Sequence, residues 1–197
     1  SVLFMSNKKV TVGISARHVH VTREHLEILY GAGYQLTNKK DLSQPGQFAS
    51  NETVDVVTEK STFKNVRILG PERSKSQVEV SMSDAMKLGL KNIPVRDSGD
   101  LAGTPGAKLV GPKGEVELKE GVIVASRHIH MTPAEAATFG VKDKDTVKVR
   151  CGGERGLVFE NVLIRVHEQY ALEMHVDTDE GNAALCKTGD QLEVIVG

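Results

Sequence analysis

Four of the seven histidines in this 197-residue chain fall into two identical spacings, His18-Val19-His20 and His128-Ile129-His130. Neutral imidazole binds zinc at about 2.0–2.1 Å, and a catalytic zinc usually takes three protein ligands and keeps one position for water or substrate. Alternate side chains of a β-strand share a face, so a His-x-His pair on a strand supplies two of those three ligands. One such pair alone could equally be two surface imidazoles. Its repetition, with Arg17 and Arg127 directly before the pairs, favours metal.

The pairs belong to a longer repeat. Residues 14–22 read Ile-Ser-Ala-Arg-His-Val-His-Val-Thr, and residues 124–132 read Val-Ala-Ser-Arg-His-Ile-His-Met-Thr. Self-similarity of this kind signals duplicated structural units. The boundary is placed at 98/99, giving a first half 1–98 and a second half 99–197, with exchange of strands between them left open. The stretch from Asp97 to Lys119 carries Gly99, Gly103, Pro105, Gly106, Gly111, Pro112 and Gly114 and reads as turn chemistry.

Apolar residues alternate around each motif: Val12, Ile14, Val19 and Val21, then Val122, Val124, Ile129 and Met131. That period of two predicts strands. Thr22 and Thr132 then stand as N-caps of short helices, about Arg23 to Tyr30 and about Pro133 to Phe139, stopped by Gly31 and Gly140. Two further segments show a strand followed by a capped helix. One carries Glu79 ahead of Ser83–Gly89, the other His175 ahead of Thr178–Leu185. Each half thus offers a His-x-His pair and one later ligand: His18, His20 and Glu79, then His128, His130 and His175.

Thr53–Thr58, Phe63–Leu69, Thr146–Arg150, Gly156–Val166 and Gln191–Val196 read as further strands. The fold class expected is mainly β with short α-helices, arranged as two pseudo-repeated small β-barrel domains.

Other residues read more plainly. Arg17 and Arg127 lie on the opposite pitch of the strand from the neighbouring histidine, so contact with the same metal does not follow. Arg73, in the turn Gly70-Pro71-Glu72-Arg73, reads on residues alone as a surface arginine, although a guanidinium fork suits phosphate or carboxylate. His25 and His167 read as surface histidines. Cys151 and Cys186 read as free buried thiols.

Composition excludes several classes. A net charge of −1 gives no bulk attraction to nucleic acid or membrane, and 4% aromatic content without Trp argues against a base-stacking surface. No apolar run approaches the roughly 20 residues that span a bilayer. Ser1 to Lys9 lacks a signal-peptide core, and the origin of Ser1–Phe4, ahead of Met5, is left open.

The ordered set Ser15-Ala16-Arg17-His18-Val19-His20, Leu69 through Arg73, Gln77 through Ser81, Ser126 through Pro133 and His175 through Glu180 resembles the PduL-type phosphate acyltransferases, also called phosphate propanoyltransferases or phosphotransacylases. The resemblance runs over nearly the whole chain. It implies reversible acyl transfer between coenzyme A and inorganic phosphate, with propionyl or acetyl groups. It also implies two β-barrel domains and two metal ions, usually zinc, held by His18, His20, Glu79, His128, His130 and His175.

Arg73 falls where that family places a phosphate-binding arginine, which reverses its reading as a surface residue. The implied partners are acyl-CoA and CoA, phosphate and acyl phosphate, with a homodimer among the expected states. Family members with an N-terminal extension enter bacterial microcompartments. Almost nothing precedes the first strand here, so a cytoplasmic location is expected. In the implied mechanism, the ion at His18, His20 and Glu79 meets the coenzyme A sulfur. The ion at His128, His130 and His175 lies on the phosphate side or polarises the thioester carbonyl. A dinuclear metallohydrolase and a non-enzymatic metal-binding barrel are the competing readings.

Overall fold

The computed structural model describes residues 8–197. Ser1–Phe4, and most of the segment read as lacking a targeting signal, lie outside the described residues. The chain forms two compact units. One comprises the segment ending at Ser15, Ser43–Pro45 and Ser126–Gly197; the other comprises Ala16–Leu42 and Gly46–Ala125.

The first unit is a closed six-stranded barrel. Its strands are β1 (Lys9–Ser15), β11 (His128–Met131), β12 (Thr146–Cys151), β13 (Leu157–Val166), β14 (Glu173–Asp177) and β15 (Gln191–Ile195), in the order β1-β14-β11-β13-β12-β15. Alternation drives its packing: Val147, Val149 and Cys151 of β12 turn inward while Thr146, Lys148 and Arg150 face out. Val12, Ile129, Ile164 and Met174 are fully buried in one apolar cluster at its centre. Closure leaves no strand edge to be covered.

The second unit is a nine-stranded curled sheet. It contains β2 (His18–His20), β3 (Asn38–Asp41), β4 (Phe48–Val57), β5 (Thr62–Gly70), β6 (Gln77–Glu79), β7 (Val95–Arg96), β8 (Ala107–Val110), β9 (Glu115–Leu118) and β10 (Val122–Ala125). The order is β7-β10-β6-β2-β5-β4-β8-β9, with β3 paired to β4. Its own core gathers Val19, Leu26, Leu29, Ile68, Val78, Leu109 and Val122.

A single cut at 98/99 does not describe this division, and strand pairing gives the reason. β1 leads into the first histidine pair yet runs parallel to β14, Val12 beside Met174 and Ile14 beside Val176. β10 leads into the second pair yet runs parallel to β6, Val122 beside Val78. Each repeat donates its leading strand to the other repeat's sheet. The Gly- and Pro-rich stretch is also more ordered than expected. Its 97–106 part forms turns as expected, but it also contains β8 and β9, whose Ala107, Leu109, Val116 and Leu118 point inward and which are joined by the turn Gly111–Gly114, closed by a 2.9 Å bond from Gly111 N to Gly114 O.

Four short helices occur among the described residues. α1 (Arg23–Tyr30) and α3 (Pro133–Phe139) begin where their caps predict, with Thr22 and Thr132 accepting the backbone N–H of His25 and Glu135. α3 ends at Gly140 in the left-handed region, φ 72°. α2 (Met82–Lys87) starts one residue earlier than the sequence suggests, because Ser81 is its cap, and α4 (Thr178–Ala184) is capped by Asp177. Among the described residues no helix is long and apolar enough to cross a membrane.

Candidate metal centres

The first cluster is built by two three-residue strands. β2 and β6 pair antiparallel, with His18 opposite Glu79 and His20 opposite Gln77. Val19 between the histidines points into the core and anchors the strand. His18, His20 and Glu79 therefore share one face, with one donor atom from each within 4.8 Å of the others. Nδ1 of His18 lies 2.9 Å from the Ala16 carbonyl oxygen. Donation of Nδ1–H to that carbonyl leaves the lone pair on Nε2, the atom that meets Glu79 Oε2. His20 Nε2 lies 3.3 Å from the same oxygen.

Charge and burial set the protonation states. Burial pushes His20 down to about 4, keeping it neutral and ligand-competent. Burial also acts to lower His18, but the adjacent Glu79 carboxylate outweighs it and raises that histidine. Burial works against the Glu79 carboxylate, yet the two imidazoles hold it well below the ordinary carboxylate range. Two imidazoles and one carboxylate on a dry face are the donor set of a catalytic zinc site.

The second cluster repeats this construction in the other unit. β11 and β14 pair antiparallel, with His128 opposite His175 and His130 opposite Glu173. His128, His130 and His175 again offer donor atoms within 4.8 Å of one another. Nδ1 of His128 lies 2.8 Å from the Ser126 carbonyl, as His18 does from Ala16. The His130 ring meets the Tyr170 ring edge-on, 4.5 Å between centroids. Three imidazoles also fit a zinc ion.

The arginines before the pairs turn away from these clusters. Arg17 Nη1 donates to Asp84 Oδ1 at 3.1 Å, and its guanidinium lies 4.2 Å from the Phe63 ring centroid. Arg127 Nε donates to Glu180 Oε2 at 2.6 Å, and its guanidinium lies 5.0 Å from the Phe159 centroid. Asp84 and Glu180 are the third-residue acids of the capping boxes of α2 and α4. Each arginine thus ties its histidine strand to the helix that follows the third residue of the cluster.

Arg73 stands close enough to His18 and His20 for its charge to work against protonation of both, although Glu79 still leaves His18 raised. Its backbone N–H donates to Val21 O at 2.9 Å, and Nη1 donates to Ser98 Oγ at 2.9 Å. Gln77 donates to the same Ser98 Oγ and accepts the Gly99 N–H, fixing the loop that carries Ser98. Gln77 and Glu173 escaped attention in the sequence, although the period of two from Glu79 and His175 puts them on the ligand face. Ser98 carries no local signal at all.

The model of the phosphate propanoyltransferase family matches residues 11–187. This chain belongs to that family. Phosphate propanoyltransferases are acyltransferases, and the chain is an enzyme of that class. It is 56% identical over 187 residues to the phosphate propanoyltransferase of Thermotoga maritima, covering 94% of this chain and 89% of the relative. It is 54% identical to that of Lachnoclostridium phytofermentans, covering 94% and 87%. Against the Listeria monocytogenes phosphate propanoyltransferase the figure is 49% over 186 residues, covering 94% and 87%.

The other histidines and the cysteines fall outside both clusters. His25 is half-buried, its Nδ1 2.7 Å from Ser76 Oγ, so it is a structural residue rather than the surface one expected. His167 is exposed, as expected. Cys151 and Cys186 are free and buried in the barrel core, where burial pushes Cys186 up to about 11.

Proposed function

We propose that this chain interconverts a short-chain acyl-CoA and inorganic phosphate with acyl phosphate and free CoA, propionyl or acetyl being the acyl group. Two divalent ions, zinc by preference, serve the reaction, one held by His18, His20 and Glu79 and one by His128, His130 and His175. The observation that carries this reading is the duplicated three-ligand cluster in a chain that matches the phosphate propanoyltransferase model from residue 11 to residue 187.

A phosphate oxygen attacks the thioester carbonyl carbon, the C–S bond breaks, and the electron pair leaves with sulfur as the CoA thiolate. Arg73 presents its guanidinium fork to two phosphate oxygens, which orients the third toward the carbonyl. Ser98 holds the other side of that fork. Direct attack by phosphate needs no covalent nucleophile from the protein, and both cysteines lie in the barrel core. When bound, zinc supplies a soft partner for thiolate sulfur and a Lewis acid for a carbonyl or phosphoryl oxygen.

The test is a thiol-release assay on propionyl-CoA and acetyl-CoA, with and without phosphate and with and without a chelator. Thiol release that requires phosphate and is lost on chelation is the expected result. Release without phosphate would mark a thioester hydrolase instead. Zinc binding with neither activity would leave a metal-binding barrel.

A further inference from the structure

A buried carboxylate that the proposed reaction does not use sits beside the second cluster. Glu173 is 7% exposed. It lies two residues before His175 on β14, so alternation places both side chains on one face. Glu173 Oε1 is 2.8 Å from His175 Nε2, an ion-pair contact, and this buried oxygen has no aligned hydrogen-bond donor among the described residues. The side chains of Ser43 and Gln44 hydrogen-bond to the carboxylate, and Gln44 is itself clamped to the Ala171 backbone by bonds of 2.9 and 3.1 Å. Glu173 is nonetheless not one of the three grouped donors, which are His128, His130 and His175.

The position differs informatively from its counterpart. Opposite the second histidine of each pair stands Gln77 in one unit and Glu173 in the other. Gln77 bonds to Ser98 and Gly99 and touches no ligand through those bonds. Glu173 touches a ligand. The two clusters also differ in charge. The first contains the Glu79 carboxylate, whereas the second groups three imidazoles and no carboxylate, which would leave a divalent ion without a countercharge. A ligating histidine commonly donates its second ring N–H to a carboxylate or a carbonyl, which fixes the ring and raises its basicity. His18 and His128 use backbone carbonyls for this. His175 has Glu173.

We infer that Glu173 is the positioning carboxylate of the second centre: paired with Nε2 of His175, it orients that ring within the cluster and supplies the negative charge the three imidazoles lack. The inference rests on the proposal that His128, His130 and His175 hold an ion.

The experiment measures zinc stoichiometry and affinity by chelator competition on the full chain, for wild type, Glu173→Gln, His175→Ala and the double variant. The apo proteins' thermal midpoints confirm folding. Glu173→Gln should weaken one of the two ions about 10- to 100-fold and leave the other unchanged. His175→Ala should weaken the same ion at least as much, and the double variant should be no weaker than His175→Ala, because Glu173 acts through that ring. A merely structural role would instead add to the His175 effect or loosen both ions, and either result overturns the inference. Wild-type affinity for both ions in Glu173→Gln, with one ion lost in His175→Ala, overturns it while leaving the centre intact. Wild-type affinity for both ions in His175→Ala overturns the centre and the inference together. Glu173→Asp is the second variant, for use if the glutamine form does not fold. It keeps the charge but shortens the arm, so a selective loss of the same ion is expected, and equal loss of both counts against the inference.

Discussion

His175 stands directly opposite His128 across the antiparallel pair of β11 and β14. Opposed residues in such a pair have Cβ atoms about 4.5–5.5 Å apart. The strand ladder itself therefore brings the third residue of the cluster to the histidine pair, with no loop needed to close over it. Glu79 meets His18 through the same relationship across β2 and β6. Side chains placed by backbone hydrogen bonds have their grouping set by the fold itself.

Replacing His128 with Ala should remove one of two bound ions, read by elemental analysis of the purified protein, and acyl transfer with it. The first cluster shares no residue with this one, so the second ion should stay. Full activity at half the metal content would remove His128 from the set of essential ligands.

Arg73→Lys keeps the positive charge and loses the fork. The Michaelis constant for phosphate should rise about tenfold, equivalent to ~1.4 kcal/mol of binding, with that for acyl-CoA nearly unchanged. Steady-state kinetics with each substrate varied in turn separates the two. Equal increases in both constants would argue against a phosphate role.

Glu52 gives the second unit a pH-dependent stability. Its carboxylate is buried and accepts bonds from Tyr34 Oη at 2.9 Å, Thr37 N at 2.7 Å and Thr37 Oγ1 at 2.8 Å. Burial opposes ionisation, but these bonds win and hold the group below its ordinary 4.5. A carboxyl depressed in the folded state stabilises fully above its unfolded value and loses that contribution as pH falls through the folded one. Glu52→Gln should cost about 1–3 kcal/mol near neutral pH and progressively less below about pH 4.5. Urea unfolding at pH 7 and pH 3.5 measures both, and a difference that does not shrink in acid contradicts the assignment.

Arg127→Ala should lower stability by about 1 kcal/mol, since the ion pair to Glu180 is only partly buried. Contact with the Phe159 ring is lost as well. If Arg127 only ties a strand to a helix, zinc stoichiometry stays at the wild-type value while the denaturant midpoint falls. Loss of an ion at unchanged stability would instead make this arginine part of the centre.

Sequence alone reached the six residues of the two clusters because both signals involved are local. His-x-His on a strand needs only alternation, and the repeat doubles it. The caps at Thr22 and Thr132 placed α1 and α3 to the residue for the same reason. What escaped was long-range. Neither the pairing of β1 with β14 nor that of β10 with β6 leaves a local trace, so a cut near 98/99 looked natural. β8 and β9 were hidden by the glycines and prolines around them, although their inward Ala107, Leu109, Val116 and Leu118 do alternate. Ser98 reaches Arg73 across 25 positions of chain, a separation that no pattern window covers.

The exchanged strands impose an order on synthesis. Every residue of the nine-stranded sheet has been made once the ribosome has passed Ala125, so that sheet and its His18, His20 and Glu79 cluster can assemble on the nascent chain. The barrel cannot. Its β1 ends at Ser15, but one neighbour, β14, ends at Asp177 and the other, β15, ends at Ile195. At about 5–20 residues per second β1 waits on the order of ten seconds or more for both partners. The two clusters are thus completed in sequence, the three-histidine one only after β14 has been made.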